Sequence, residues 1–435
     1  MRAQKGTCLA LLCGAVIGAL ASFAARGLDA GQVTGVPPRL GPGGVHRAGR
    51  DDGGPVLTGI DVLVREEFKS LRNLRIGLIT NHTGVDRFGR RTADLLRNAP
   101  DTKLVALFSP EHGLGGLLDQ ADIKDGVDRR TGLRIHSLYG KTRRPLPEML
   151  RGIDTLVFDI QDIGTRFYTY ISTMGYAMEV AAEHKLRFVV LDRPNPISRL
   201  GAAGPLADAD RLAFTAYQTI PLIHGMTIGE LARLFKHEFG VDCDLQVVPM
   251  AGWKRSMWWD ETGLTWVNPS PNMRNPTQAL LYPAVGQLEA SNLSVGRGTD
   301  QPFERFGAPW IDPSRGGHRT LAAALNAAAL PGLRFAPIVF TPTASKHKGQ
   351  RCGGVFITVT DRERVRPAEA GMALAWHLRH LFGKAFDHDA VLNMIRNAET
   401  HRVWTSAKAP SAVSEAWTEP LRQFEVKRRR HLLYR

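Results

Sequence analysis

Cysteine is scarce in this chain: four occur in 435 residues, and two of them, Cys8 and Cys13, fall in the opening segment. Only Cys243 and Cys352 remain for the body of the protein, which excludes a disulfide scaffold. They can pair in an oxidising compartment or stay as free thiols. Stability has to come from burying an apolar core, and the chain is long enough for that. Several motifs are missing too. Neither Gly-x-Gly-x-x-Gly nor Gly-x-x-x-x-Gly-Lys-Ser/Thr follows the first apolar run, which argues against nucleotide binding. The lack of a Gly-x-Ser-x-Gly elbow argues against a standard α/β-hydrolase. His82, His112 and His224 are scattered, without His-x-x-x-His or Glu-x-x-His spacing, so no metal or other cofactor is expected. The formal charge of +14 comes without zinc-finger spacing, RNP motif or basic helix, so nucleic acid is not an expected partner. A basic surface also suits an acidic glycan. The run Lys427-Arg428-Arg429-Arg430-His431 reads as a solvated tail.

The amino terminus carries a processing pattern. Arg2 and Lys5 precede an apolar stretch over residues 8–23, and the small residues Ala24 and Ala25 follow. At about 16 residues the stretch is short of the roughly 20 of a membrane span. Residues 1–26 therefore read as a secretory signal or uncleaved anchor, and the protein as secreted or periplasmic, with the membrane met only through that anchor. Cys13 follows Leu11-Leu12, and Leu12 is too bulky for a lipoprotein cleavage site. Residues 27–55, rich in Gly, Pro and Arg, read as a linker.

Helical spacing of Ile60, Leu63, Val64, Phe68 and Leu71 predicts a helix over residues 60–71, with Thr58 and Asp61 as its capping box. Helices are also expected near residues 92–97 and over 169–184, where Ile171, Met174, Met178, Ala181 and Ala182 form a core stripe. Thr227 and Glu230 cap a helix that stops at Gly240. Between them lie short aliphatic runs that read as parallel strands of an α/β sheet. A change of style between Gly201 and Ala216 marks a domain boundary. Strands near 245–248, 338–341 and 355–360 are assigned to the second half.

Four of the apolar runs end in reactive residues: Asn81-His82-Thr83-Gly84, Ser109-Pro110-Glu111-His112-Gly113, Asp159-Ile160-Gln161-Asp162 with Arg166 and Tyr168 beyond, and Asp192-Arg193-Pro194-Asn195-Pro196. Ligands bind outside the carboxyl ends of such strands, so four in succession suggest one site. Glu111, held in a Pro/Gly turn and flanked by Phe108 and Leu114, suits general-acid duty through partial desolvation. The alternative is a turn-capping glutamate beside a surface histidine, His112. Asp159 and Asp162 can position water or bind sugar hydroxyls, or Asp159 can simply pair with Arg166. Asp192 is a candidate hydroxyl acceptor. Further on come the stiff loop Asn268-Pro269-Ser270-Pro271-Asn272-Met273, then Glu289, then Gly296-Arg297-Gly298-Thr299, whose guanidinium suits a carboxylate or phosphate. Trp253, Trp258, Trp259, Trp266 and Trp310 offer sugar-stacking faces or core packing.

With these strings in view, the chain resembles the NamZ-type exo-β-N-acetylmuramidases, formerly a domain of unknown function, from residue 57 to at least 359. The resemblance is carried by residues 77–84, 108–113, 158–166 with Thr169-Tyr170-Ile171, 191–197, 224–230, 269–273, 296–299 and 306–310. It implies a Rossmann-like catalytic domain over residues 56–208 and an α+β auxiliary domain over 209–435 completing a cleft. It also implies release of N-acetylmuramic acid from the non-reducing ends of peptidoglycan fragments, with Glu111 catalytic. Asn81, His112, Asp162, Arg166, Tyr168, Asp192, Asn195, His224 and Arg297 match family positions expected to line the cleft, and Asn272 falls in a matching loop. The chain departs from the pattern at Gly115-Gly116-Leu117-Leu118-Asp119-Gln120 and at Ser198-Arg199-Leu200. Glycoside hydrolysis needs a second group beside the acid, and Asp162 and Glu289 are the candidates. Arg166 or Arg297 is the expected anchor for the lactyl carboxylate. Two other readings compete: a wall-sugar-binding protein that does not cleave, and a metal-dependent phosphoesterase built on Asp159, Asp162 and His112.

Overall fold

Apolar residues fill both faces of the first strands, and that alone dictates a sheet covered on two sides. The computed structural model describes residues 55–120 and 122–435, so the expected signal or anchor and nearly all of the linker lie outside the described residues. The strands are β1 (Arg75–Thr80), β2 (Lys103–Ser109), β3 (Gly126–Val127), β4 (Arg134–Ser137), β5 (Thr155–Asp159), β6 (Arg187–Leu191), β7 (Ala203–Leu206), β8 (Pro221–Ile223) and β9 (Asp244–Val248). Seven of them form one sheet in the order β3-β4-β2-β1-β5-β6-β9, in which all but β3 pair in parallel. Counting only the parallel strands, this is the Rossmann order, whose switch point falls between β1 and β5.

Alternate residues supply the two cores. Ile76, Leu78, Leu104, Val157, Val189 and Leu191 face helices α1 (Gly59–Arg65) and α2 (Thr92–Arg97). Ile79, Phe108, Phe158, Phe188 and Val190 join the other core, shared with α3 (Tyr170–Glu183) and α4 (Ile228–Glu238). The first expected helix is shorter than its periodicity suggests. Glu67 and Phe68 adopt left-handed φ values of 53° and 54° and break it, so a one-turn 3-10 segment at Lys69–Leu71 brings Leu71 into the core. Its capping box forms as expected, with the Thr58 amide and hydroxyl both donating to Asp61 at 2.8 and 2.6 Å. Thr227 and Glu230 cap α4 in the same way, and the chain turns away at Gly240, φ 72°.

The sheet keeps growing past residue 208. The strand expected in the second half at 245–248 is β9, which pairs residue by residue with β6. Beyond it come α5 (Pro276–Val285), β10 (Arg305–Ala308), α6 (Gly317–Ala327), β11 (Leu333–Phe340), β12 (Cys352–Val359) and α7 (Pro367–Phe382). Strands β10, β12 and β11 form a smaller antiparallel sheet in that order, giving the second α+β part. All described residues belong to one compact unit. Cys243 and Cys352 are separately buried as free thiols. The basic tail is solvated in part, with Lys427, Arg429 and Arg430 exposed, but it is not a free arm. Helix Glu415–Arg429 packs on the body, Arg428 is buried against the Gly225 carbonyl, and His431 is buried against Glu238.

Candidate active site

Strand β2 ends at Ser109, and the Gly113 amide closes a turn on the Pro110 carbonyl at 3.0 Å. His112 takes a left-handed φ of 71° and its Nδ1 bonds the Leu118 carbonyl at 2.7 Å. This turn holds Glu111 half-buried past the strand end. Because β4 runs parallel to β2 with Ser137 opposite Ser109, Tyr139 emerges beside Glu111. Thr169 is the N-cap of α3, yet its hydroxyl does not cap its own helix and donates to Glu111 Oε2 instead. Burial, then the Glu111 carboxylate, pushes the Tyr139 phenol up to about 12. Burial also drives Tyr168, Tyr170 and Tyr282 above the ordinary tyrosine value, and Glu111 contributes to each. The carboxyl therefore faces tyrosines. Phe108, one of the apolar neighbours the sequence suggests, is fully buried in the core.

These groups open onto a cleft of about 240 Å³ lined by Glu111, His112, Tyr168, Tyr282, Glu289 and Arg297, among others. Glu289 follows the 3-10 turn at the end of α5 and accepts from Arg297 Nε at 2.5 Å. Burial opposes the Arg297 charge, but Glu289, Tyr282 and Asp119 outweigh it and raise its pKa. The glycine-flanked loop thus aims its guanidinium at a carboxylate of the protein itself. Lys346 steadies the segment by donating to the carbonyls of Glu289 and Ser291. Tyr168 lines the cleft, but its hydroxyl is buried beside Ser270 and Tyr170.

The other strand ends are brought close but serve as supports. Asp162 is buried; its Oδ2 accepts from Gly164 N at 2.7 Å and lies 3.2 Å from His224 Nε2. Met226 N donates to His224 Nδ1, so Nε2 carries the proton given to Asp162. Asp162 does not line the cleft but lies close enough to Tyr168 to raise its pKa. Only glycine fits at 164: φ is 89°, and a Cβ would meet Asn195 Oδ1 at 2.4 Å. Asn195 itself is buried, donating to the Met226 carbonyl. Asn81 is buried and accepts from the Thr83 amide and hydroxyl. Asn272 is buried at the rim and donates to Asp119 at 3.1 Å.

Three expectations are corrected. Arg166 is not a substrate anchor. It is wholly buried and donates to the carbonyls of Pro205, Ile220, Met394 and Ile395 at 2.9, 3.1, 3.0 and 2.5 Å. Burial and nearby Arg396 lower its pKa to about 9. Met394 lines the cleft, so Arg166 supports the wall from behind. Asp192 accepts from Arg193 N, Gly229 N, Thr227 Oγ1 and Tyr434 Oη, which leaves no approach for a sugar hydroxyl. Asp159 pairs with Arg193 at 2.6 and 2.9 Å rather than with Arg166, and its Oδ2 also accepts from the Thr92 hydroxyl. That occupation removes the Asp159 arm of the phosphoesterase reading. None of the five tryptophans lines the Glu111 cleft. Trp253 packs on Tyr434, Trp259 on Trp266 and Trp310 on Phe382. Sequence reasoning missed Tyr139, Thr169, Tyr282 and Lys346. Strand register signals only the first, since Tyr139 follows the strand beside β2.

Comparison with known proteins places the chain in a family. The family domain described as Exo-beta-N-acetylmuramidase NamZ, N-terminal, matches residues 76–277, and its C-terminal counterpart matches residues 280–434. The peptidoglycan beta-N-acetylmuramidase NamZ of Bacillus subtilis (strain 168) is 44% identical over 383 residues, covering 87% of this chain and 91% of that protein. Crystal structures of two DUF1343 family proteins from Bacteroides fragilis superpose with TM-scores of 0.80 and 0.71, at 38% and 26% identity. Each covers 88% of this chain and 99% of its own. With both family domains matched in order over nearly all the described residues, the chain belongs to the NamZ exo-β-N-acetylmuramidase family.

Proposed function

We propose that this protein is a glycoside hydrolase that releases N-acetylmuramic acid from the non-reducing ends of peptidoglycan fragments, with Glu111 as general acid and base. The observation that carries this reading is the Glu111 carboxyl at the cleft, held by Thr169 and flanked by Tyr139, with Glu289 and Arg297 lining the same hollow. Glu111 passes its proton to the glycosidic oxygen as the C1–O bond breaks. Positive charge then gathers on the ring oxygen and C1. Water supplies the new oxygen at C1 and returns a proton to carboxylate, restoring the enzyme. Glu289 is the second carboxylate that shares the cleft, whereas Asp162 acts through Tyr168. Arg297 is the cation on the cleft wall for the lactyl carboxylate, which would share its guanidinium with Glu289 at Nε and Asp119 near Nη1. The reading needs no metal or cofactor. A small cleft that takes one terminal sugar fits exo action.

The export-type amino terminus supports a secreted or periplasmic site of action, where such fragments form. The test is mass spectrometry of the sugar released from short peptidoglycan glycans, together with the Glu111→Gln variant. Free N-acetylmuramic acid from the wild type, and none from the folded variant, supports the assignment. Equal release by both removes Glu111 from the mechanism.

A further inference from the structure

Beyond Arg297 the surface opens into a second, wider groove of about 560 Å³. Arg297 lines both hollows. Asp119 lines the groove, 3.7 Å from Arg297 and accepting from Asn272. The outer wall presents Arg274 and Arg305 beside the hydroxyl-bearing Thr299, Thr341 and Ser345. The two outer arginines differ from Arg297 in one respect. Arg297 is balanced by Glu289 and Asp119, whereas Arg274 donates only to the carbonyls of Pro271 and Asp300, and Arg305 to the Gln301 amide. Neither is ion-paired with a carboxylate among the described residues. Arg274 is exposed, and the Phe340 ring lies beneath Arg305 at 5.9 Å.

We propose that this groove holds the leaving side of the glycan, and that Arg274 and Arg305 recognise the carboxylate of the next muramic acid along it. The proposal rests on the hydrolase reading and deepens it. In an alternating glycan the sugar on the far side of the cleaved bond is an N-acetylglucosamine, which has no charge. The sugar after that again carries a lactyl ether, whose carboxylate is free or extended by an acidic stem peptide. A groove that shares Arg297 with the cleft, and is lined both by hydroxyl side chains and by two guanidiniums without a carboxylate partner, offers contacts to a neutral sugar and to an anionic one. Guanidinium suits a carboxylate because its parallel N–H groups meet both oxygens.

The experiment compares the full chain on a 4-nitrophenyl muramide, the muramyl-glucosamine disaccharide and the corresponding tetrasaccharide. The tetrasaccharide is also tested with its inner lactyl carboxyl amidated. The readout is the ratio of kcat/KM on tetrasaccharide to disaccharide. The proposal expects a wild-type ratio of about ten, carried by KM and worth about 1.4 kcal/mol. It falls towards one on amidation or in Arg274→Glu, and part of the way in Arg274→Gln. Arg274 is exposed, so these variants fold. A wild-type ratio near one, or a ratio that neither amidation nor Arg274→Glu moves, overturns the groove assignment. Failure to hydrolyse even the chromogenic muramide strikes the hydrolase reading instead. In that case calorimetric Kd values for tetrasaccharide and disaccharide decide the groove by the same ratio.

Discussion

Glu111 and Asp159 stand in equivalent places, each a carboxylate at the carboxyl end of a parallel strand, and they do opposite things. Asp159 is fully buried, with both oxygens committed to Arg193 and Thr92. Glu111 is half-buried at a cleft, held by one hydroxyl and bordered by Tyr139. Position on the sheet is common to both. What separates them is how much of their hydrogen-bonding capacity the protein consumes. A saturated carboxylate ties elements together, and an unsaturated one facing a cleft can exchange a proton with a ligand.

The comparison breaks most sharply by substituting the open member. Glu111→Gln is expected to lower kcat by about 10²–10⁴-fold, the usual worth of a general acid. Its unfolding free energy should stay within about 0.5 kcal/mol of the wild type in urea denaturation. Asp159→Ala is expected to do the reverse. It strands Arg193 as a buried charge and should cost about 3–5 kcal/mol in urea unfolding, while the folded fraction keeps its chemistry. Equal stability losses in the two variants would erase the distinction.

Asp192 sharpens it through pH. Burial raises its pKa from 3.8 to about 6, with Tyr434, Gly229 and Thr227 limiting the rise. A raised carboxyl favours the fold fully below the unfolded value and loses that contribution as pH climbs through the folded one. Between about pH 4 and 6 the wild type should therefore lose on the order of 2 kcal/mol, and Asp192→Asn should flatten that slope. Chemical denaturation at stepped pH reads the difference, and an unchanged slope would mean Asp192 does not titrate there. Tyr434→Phe is expected to cost about 2 kcal/mol, for the bond its hydroxyl gives Asp192 and the one it accepts from the Met250 amide, with kcat unaltered.

The strands, the two capping boxes and Glu111 are legible because each depends on residues near in sequence. Thr227 and Glu230 specify a helix start within one turn, and Pro110 with Gly113 specifies the turn that carries Glu111. Arg166 is misread for the opposite reason. Its partners lie as far as 229 residues away, so nothing local distinguishes a buried strut from a ligand-binding cation. The basic tail misleads in the same way. Lys427, Arg429 and Arg430 are solvated as the sequence suggests, but helix packing buries Arg428 and His431 among them. Tyr282 reaches the cleft only after α5 packs, which no motif encodes. Tyr139 is recoverable only once β4 is paired with β2.

The Arg166 carbonyl cage has a mechanical consequence. One guanidinium joins Pro205, within β7, and Ile220, just before β8, to Met394 in the wall of the cleft. A joint of four hydrogen bonds inside the core resists opening like a clamshell. The Met394 wall of the hollow is therefore braced by the core behind it.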